Sequence, residues 1–265
     1  MPKIGSCGSM VFLLKKPFMR RFLVLASFTL ISCTLFGQVK MRSLDQLINK
    51  EEPGWALVTE WIAAAKNKVE VLPADSLKAK DALYKIQVTT RSPMGAIVYS
   101  TSGLLIDNGW IRILGSGGEK MNRSLPEWNK GKAFDSFGEP APYLLIADDV
   151  LGGFFLLNGG GLGTDLGKVY YFAPDNLEFE PLDLTYSDFL NFCFNYDMDD
   201  FYKGYRWNNW KIDVAKLTGD QVFNFIPYLW TKEGKDIANA SKSAVSAEAQ
   251  YLLNLDLRKQ LGIDK

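Results

Sequence analysis

Thirty basic and thirty acidic side chains balance across 265 residues that include no histidine. The balance is not uniform: Lys3, Lys15, Lys16, Arg20, Arg21 and Lys40 fall in the first 40 positions with no acid among them, which leaves 24 basic against 30 acidic residues beyond, a formal charge of −6. A mildly acidic domain is poorly suited to a phosphate backbone or an anionic lipid surface, both of which call for clustered Lys and Arg, and without histidine the usual Ser–His–Asp, Cys–His and His-zinc chemistries are excluded.

The basic start leads into an export pattern. Arg20 and Arg21 precede the apolar run Phe22–Phe36, and a positive segment followed by 7–15 apolar residues is how a secretory signal reads. The run is short for a membrane-spanning helix, which needs about 20 residues, so no stable transmembrane helix is expected after processing. Met19 stands directly before the arginines and competes with Met1 as the start. Two processing sites also compete. Leu30-Ile31-Ser32-Cys33 resembles a lipobox, with Cys33 as the lipidated residue, whereas Leu35-Phe36-Gly37-Gln38 resembles an ordinary cleavage site. The second fits better, because lipid at Cys33 would leave a tether of only eight residues. Residues 1–38 are therefore expected to be a signal peptide, and residues 41–265 one globular domain that is periplasmic or otherwise in the cell envelope. Of Cys7, Cys33 and Cys193 only the last would survive ordinary cleavage, so the core must stabilise the domain without a disulfide.

Ser43 and Gln46 have capping-box spacing ahead of a short helix. Pro53 suits the first turn of a helix over 53–66, in which Trp55, Val58, Trp61, Ile62 and Ala65 recur at helical spacing. Val69–Leu72 reads as extended, and Asp75 can cap a third helix. From Thr89 strands are expected: Ala96–Tyr99, Leu104–Ile106 and Trp110–Leu114, joined by turns at Ser102-Gly103 and Asp107–Gly109. A connection from Gly115 to Lys132 leads to further strands at Tyr143–Ala147, Gly153–Leu157, Lys168–Phe172 and Glu178–Leu182. Short turns between several of these strands predict an antiparallel meander over about 94–182 in an α+β fold, since parallel strands need long crossovers. Helices follow: one capped by Ser187, one or two over Met198–Trp210, an apolar stretch Asp220–Trp230 that Pro227 breaks or kinks, and an amphipathic helix over Ala247–Leu261.

Few constellations carry chemistry. Gly159-Gly160-Gly161-Leu162-Gly163 invites a phosphate-loop reading, but such loops lead into a helix and this one leads into a strand. A hairpin connection fits better, and one that could form the rim of a binding surface. Asp197, Asp199 and Asp200 resemble part of a calcium loop without its glycine and distal glutamate, and read better as helix N-terminal charges. Asp148-Asp149 and Glu178 with Glu180 are the carboxylate pairs on strands or strand ends that could serve as acid and base in glycoside hydrolysis. Cys193, among Phe189, Phe192 and Phe194, reads as a small buried hydrophobe. Trp207 and Trp210 fall at i and i+3 with Arg206 beside them. They are either core or an exposed patch of the residue types that anchor partner proteins.

Seven stretches are distinctive: MRSLDQLINKEEPGWALV (41–58), QVTTRSPMGAIVY (87–99), GWIRILGSG (109–117), RSLPEWN (123–129), LGGFFLLNGG (151–160), GKVYYFAPDNLEFE (167–180) and YSDFLNFC (186–193). Through them residues 41 to about 210 resemble the bacterial DUF2625 family, a resemblance that implies no activity. A strand with a small-residue start (Gly153–Leu157), a Gly167-Lys168-Val169-Tyr170-Tyr171 strand and a Ser187-Asp188-Phe189-Leu190 helix also resemble, in order, the SMI1/KNR4 (SUKH) superfamily. Many bacterial members of that superfamily are toxin-neutralising immunity proteins, which implies binding and not catalysis.

The sequence thus predicts an exported, non-enzymatic α+β protein-binding domain with no cofactor, no metal and no nucleic-acid partner. Its partner face is expected to combine Arg206, Trp207 and Trp210 with the loop carrying Gly160 and Gly161. The alternative is a carboxylate-dependent hydrolase of envelope carbohydrate, with Asp148 or Glu178 facing a second carboxylate across a cleft.

Overall fold

Seven strands lie side by side in the order in which the chain makes them, every neighbouring pair antiparallel. They are β1 (Val69–Pro73), β2 (Thr101–Ile106), β3 (Ile111–Leu114), β4 (Tyr143–Asp149), β5 (Phe154–Asn158), β6 (Lys168–Phe172) and β7 (Phe179–Thr185). The structure is a computed structural model and describes residues 40–263. The predicted signal peptide, Cys33 and the competing cleavage sites lie outside the described residues.

The meander is the one expected, but its first strand is not. Ala96–Tyr99 belong to helix α4 (Pro93–Ser100), not to a strand. Ser92 caps that helix by accepting from the Gly95 amide at 3.1 Å, and Pro93 occupies its first turn, where a missing N–H costs nothing. Met94 to Val98 are all buried, so packing on every side outweighs the strand preference of Ile97 and Val98. The edge strand is instead β1, whose Glu70 pairs with Leu105 of β2.

Before the sheet come α1 (Leu44–Leu47), α2 (Gly54–Ala63) and α3 (Ser76–Ile86), the last capped by Asp75 through the amides of Leu77 and Lys78. Helix α5 (Leu125–Asn129) lies inside the connection from β3 to β4. Thr185, not Ser187, caps α6 (Tyr186–Asn195), with Asp188 returning the bond to the Thr185 amide. The short α7 (Met198–Phe201) and α8 (Trp210–Val214) follow. Asp220–Trp230 is not a helix: Gln221–Ile226 form β8, which pairs with β9 (Ser241–Ser246) in a separate two-stranded ribbon. Helix α9 (Ala247–Gln260) closes the chain, capped by Ser246.

Adjacent strand residues point to opposite faces, and Phe154 and Phe155 show what covers each. Phe155 packs on Phe189 of α6 at 4.9 Å between ring centroids, and Phe154 on Tyr251 of α9 at 5.0 Å. The sheet is therefore the middle layer, with α6 on one face and α9 on the other.

Candidate functional site

The turn Asp107-Asn108-Gly109 joins β2 to β3, and all three residues have positive φ. It delivers Trp110 to the interior, fully buried, at the end of the sheet where β4 finishes. Arg206 lies against it. Its guanidinium stands 4.7 Å from the Trp110 ring centre and 4.4 Å from that of Trp210, beside two rings that themselves meet edge-on at 4.9 Å. One end donates to Asp107 at 2.5 Å and the other to Asp199 at 2.6 Å. A planar cation stacked and doubly paired in this way is held firmly in one orientation.

Trp207 and Trp210 do not share a helix face, because α8 begins only at Trp210 and Asn209 before it is left-handed, with φ 63°. Trp207 is core. It is 6% exposed, packs on Phe223 and Phe225 of β8, and its indole nitrogen donates to Asp213 at 2.8 Å. Trp210 is half-buried, while Lys211 and Ile212 beside it are exposed.

The glycine loop is not part of this cluster. It leaves β5 after Asn158, which pairs with Tyr143 at the start of β4, whereas the Arg206 cluster lies beyond Ile111, which pairs with Asp149 at the end of β4. Six residue steps along a strand separate these ends, about 20 Å. Nor is the loop loosely held. The Asn158 carboxamide accepts from the amides of Gly160 and Leu162 and donates to the carbonyls of Gly163 and Asp165. A Cβ on Gly159 would stand 2.1 Å from the Ala141 carbonyl oxygen, and one on Gly161 2.6 Å from the Pro142 side chain. These glycines let two stretches of backbone approach closely, while Gly160 supplies a positive φ of 113°.

Asp148 and Asp149 are fully buried. Arg112, its cross-strand partner on β3, pairs with Asp148 through Nε at 2.5 Å and through Nη2. Arg123 takes the other Asp148 oxygen at 2.6 Å and also pairs with Asp220. Asp149 points to the other face. It accepts from the hydroxyls of Tyr171 at 2.7 Å and Tyr202 at 3.0 Å, and from the amides of Leu151 and Gly153. Burial pushes its carboxyl above the usual range, against the pull of those donors and of Arg112. Neither carboxylate faces a second across a cleft, so the pair does not form the acid–base arrangement that glycoside hydrolysis needs. Glu178 is exposed, and Glu180 accepts from Asn176 at 2.5 Å.

Asp197 caps α7 through the amides of Asp199 and Asp200, as helix N-terminal charges do. Among the described residues no group of three or more Cys, Asp or Glu side chains is placed to hold a metal ion. Cys193 is buried, and burial raises its thiol well above the ordinary value, which leaves it without the thiolate that reactivity requires.

Two concave regions flank α8. A groove of about 470 Å³ runs over β1–β3 and is lined by Lys68, Glu70, Arg112, Glu119, Lys120 and Lys211, among others. A notch of about 170 Å³ includes Asp107, Asp199, Arg206, Trp210 and again Lys211. Sequence reasoning reached Arg206 and Trp210 but missed Lys68, Lys120 and Lys211. No motif marks these lysines: Lys68 precedes edge strand β1, and Lys120, in the connection after β3, is tied to the segment after α8 by the Gly219 amide on its carbonyl at 2.8 Å.

The class is that of an α+β domain with a sequential seven-stranded antiparallel sheet between helical layers. The chain belongs to the family described as "Protein of unknown function DUF2625", which matches residues 44–250. An "Uncharacterized protein" of Haemophilus influenzae is 44% identical over 214 residues, covering 81% of this chain and 94% of that protein. The "Putative uncharacterized protein YbfG" of Escherichia coli K12 is 46% identical over 192 residues, covering 72% of this chain and 87% of that protein. No solved structure matches. Among the described residues no helix is long and apolar enough to cross a membrane.

Proposed function

We propose that this chain is an exported, non-enzymatic binding protein whose ligand is another protein, taken up at the face around the start of α8. One observation carries the reading: Lys211, next to the Arg206–Trp210 stack, lines both the groove and the notch. A half-buried tryptophan held rigid by an arginine is the kind of anchor that dominates interface energies, because little side-chain freedom remains to be lost on binding. The groove beside it mixes Lys68, Lys120 and Lys211 with Glu70 and Glu119, and Lys120 is bridged to Glu70, so Lys68 and Lys211 are the cations offered to an acidic segment of the partner. Arg206 and Trp210 stay in this face, while Trp207 supports it from within and Gly160 and Gly161 lie outside it. The likeness to the SUKH superfamily in the order of β5, β6 and α6 points in the same direction, towards binding. Export rests on the basic–apolar–small pattern of residues 20–38.

The test is capture from the native host with the domain from residue 39 as bait. Wild type should retain a protein that Lys211→Glu and Trp210→Ala each lose, with the melting temperature of Lys211→Glu unchanged. An identical captured set for all three baits would refute the face. Intact mass from the same host should place the N-terminus near residue 39. A full-length species would refute export, and a diacylglyceryl adduct at Cys33 would transfer processing to the lipoprotein route.

A further inference from the structure

On the face of the sheet that carries Asp149, the segment after β6 and the segment around α7 enclose a recess of about 140 Å³. Tyr171, Phe201, Tyr202 and Tyr205 supply rings to it, and Asp175 and Glu180 supply carboxylates. The rings are set at steep angles: Phe201 meets Tyr202 at 90° and 4.8 Å, and Tyr171 at 62° and 6.0 Å. The hydroxyls of Tyr171 and Tyr202 are spent on Asp149, and that of Tyr205 on one Asp175 oxygen at 2.6 Å. Tyr171 and Tyr202 are themselves buried, so the π-surface open to a ligand, negative at the ring face, is chiefly that of the half-buried Phe201 and Tyr205.

The carboxylates add charge that the domain does not cancel. Asp175 and Glu180 accept neutral donors, the Tyr205 hydroxyl and the Asn176 amide respectively. Among the described residues neither forms an ion pair with a Lys or Arg. Both act on Tyr205: burial first, then the bond to Asp175 and the charges of Asp175 and Glu180, hold its phenol protonated far above the ordinary 10.0.

We infer that this recess binds an alkylammonium group, with the rings enclosing its polarised methylenes or methyls and Asp175 and Glu180 balancing its charge. Each component excludes an alternative. An anion would face two carboxylates, and a neutral apolar ligand would desolvate them without return. A divalent metal calls for about six to eight oxygen ligands, where the recess offers mainly rings. An organic cation uses both, as aromatic cages do. The volume suits a head group or one side chain, since pockets for drug-sized ligands start at about 300 Å³. The inference does not rest on the partner face at α8, and either can fail alone.

The experiment is titration of the domain with tetramethylammonium chloride, followed by ligand-observed NMR at constant ionic strength with sodium chloride as control. N-acetyl-lysine-methylamide is titrated in parallel. Saturable binding of at least one probe is expected. Preference for tetramethylammonium would identify a methylated small ligand, and preference for the lysine probe a side chain of a protein. Glu180→Gln should weaken binding about twofold to fivefold and Asp175→Asn by a similar factor, with melting temperatures near wild type. Glu180 serves as the primary variant because its carboxylate bonds to the half-buried Asn176 and not to a core residue. No saturation by either probe beyond the sodium control, or unchanged affinity in a folded Glu180→Gln variant, would overturn the inference.

Discussion

Asp148 and Asp149 are neighbours in the chain, identical in type and equally withdrawn from water, yet the fold accommodates them in opposite ways. On one face Asp148 is matched by charge, with Arg112 on one oxygen and Arg123 on the other. On the other face Asp149 is matched by neutral donors, two phenols and two amides. The difference lies in what each partner set supplies. Two guanidiniums bring opposite charge to Asp148, whereas the phenols and amides around Asp149 bring none, and burial raises its pKa against their pull. Burial alone therefore does not define the energetics of a charged residue; the charge of its partners does.

Asp148→Asn tests the charged side of that comparison and should have the largest effect. The neutral amide would leave Arg112, which is 2% exposed, and the nearly buried Arg123 without full compensation. Loss of one member of a buried pair costs about 3–5 kcal/mol, so urea unfolding should show a severely destabilised or unfolded variant. A loss under about 1 kcal/mol would show that water reaches these arginines, and the contrast with Asp149 would collapse.

Tyr202→Phe probes the neutral side and should rank second. It removes one of the four donors to Asp149 and keeps the ring that packs on Trp110 and Phe201. A hydrogen bond to a charged acceptor is worth about 1.5–3 kcal/mol, so the midpoint of unfolding should fall moderately with an unchanged denaturant slope. A loss as large as that of Asp148→Asn would mean that the two sites are not energetically distinct.

Much of this frame was legible in the sequence. Trp110–Leu114, Tyr143–Ala147, Gly153–Leu157 and Lys168–Phe172 read as strands because apolar runs end at glycine or polar turns, and short turns fixed their antiparallel order. Where the reading failed, tertiary packing had overruled local preference. Ile97-Val98-Tyr99 look like a strand and are helical, although the Ser92-Pro93 start was a visible cap signal. Gln221–Ile226 form a strand whose partner, Ser241–Ser246, is too polar to announce itself. The site was less legible. Arg112 meets Asp148 across a connection of nearly thirty residues, and nothing local indicates that β3 and β4 pair. The i, i+3 spacing of Trp207 and Trp210 suggested one helical face, but the chain turns between them, so one became core and the other rim. The glycine loop suggested the rim of a binding surface beside Arg206, but it leaves the opposite end of β4 and β5 and the Asn158 side chain fixes it from within.

Asp149→Asn should have the smallest effect at neutral pH and the clearest pH signature. The carboxamide oxygen can accept from the amides of Leu151 and Gly153, and its NH₂ can donate to Tyr171 and Tyr202, since a phenol accepts as well as donates. No buried charge is left without a partner, so the change at pH 7 should lie within about 1 kcal/mol. The pH dependence follows from the folded pKa of Asp149, which stands above the ordinary 3.8. Between 3.8 and that raised value the folded chain holds more protons than the unfolded chain. Wild-type stability at this site therefore rises as pH falls through the window and is lowest above it. The substituted carboxamide cannot titrate and lacks this contribution. The stability of Asp149→Asn relative to wild type should thus be most favourable at pH 7 and decline towards pH 4, other groups being common to both proteins. Urea unfolding of the two proteins at several pH values measures that difference directly. A difference independent of pH would show that Asp149 keeps its charge throughout, as a carboxylate paired with cations does, and one that moved in the opposite sense would show that its donors outweigh burial.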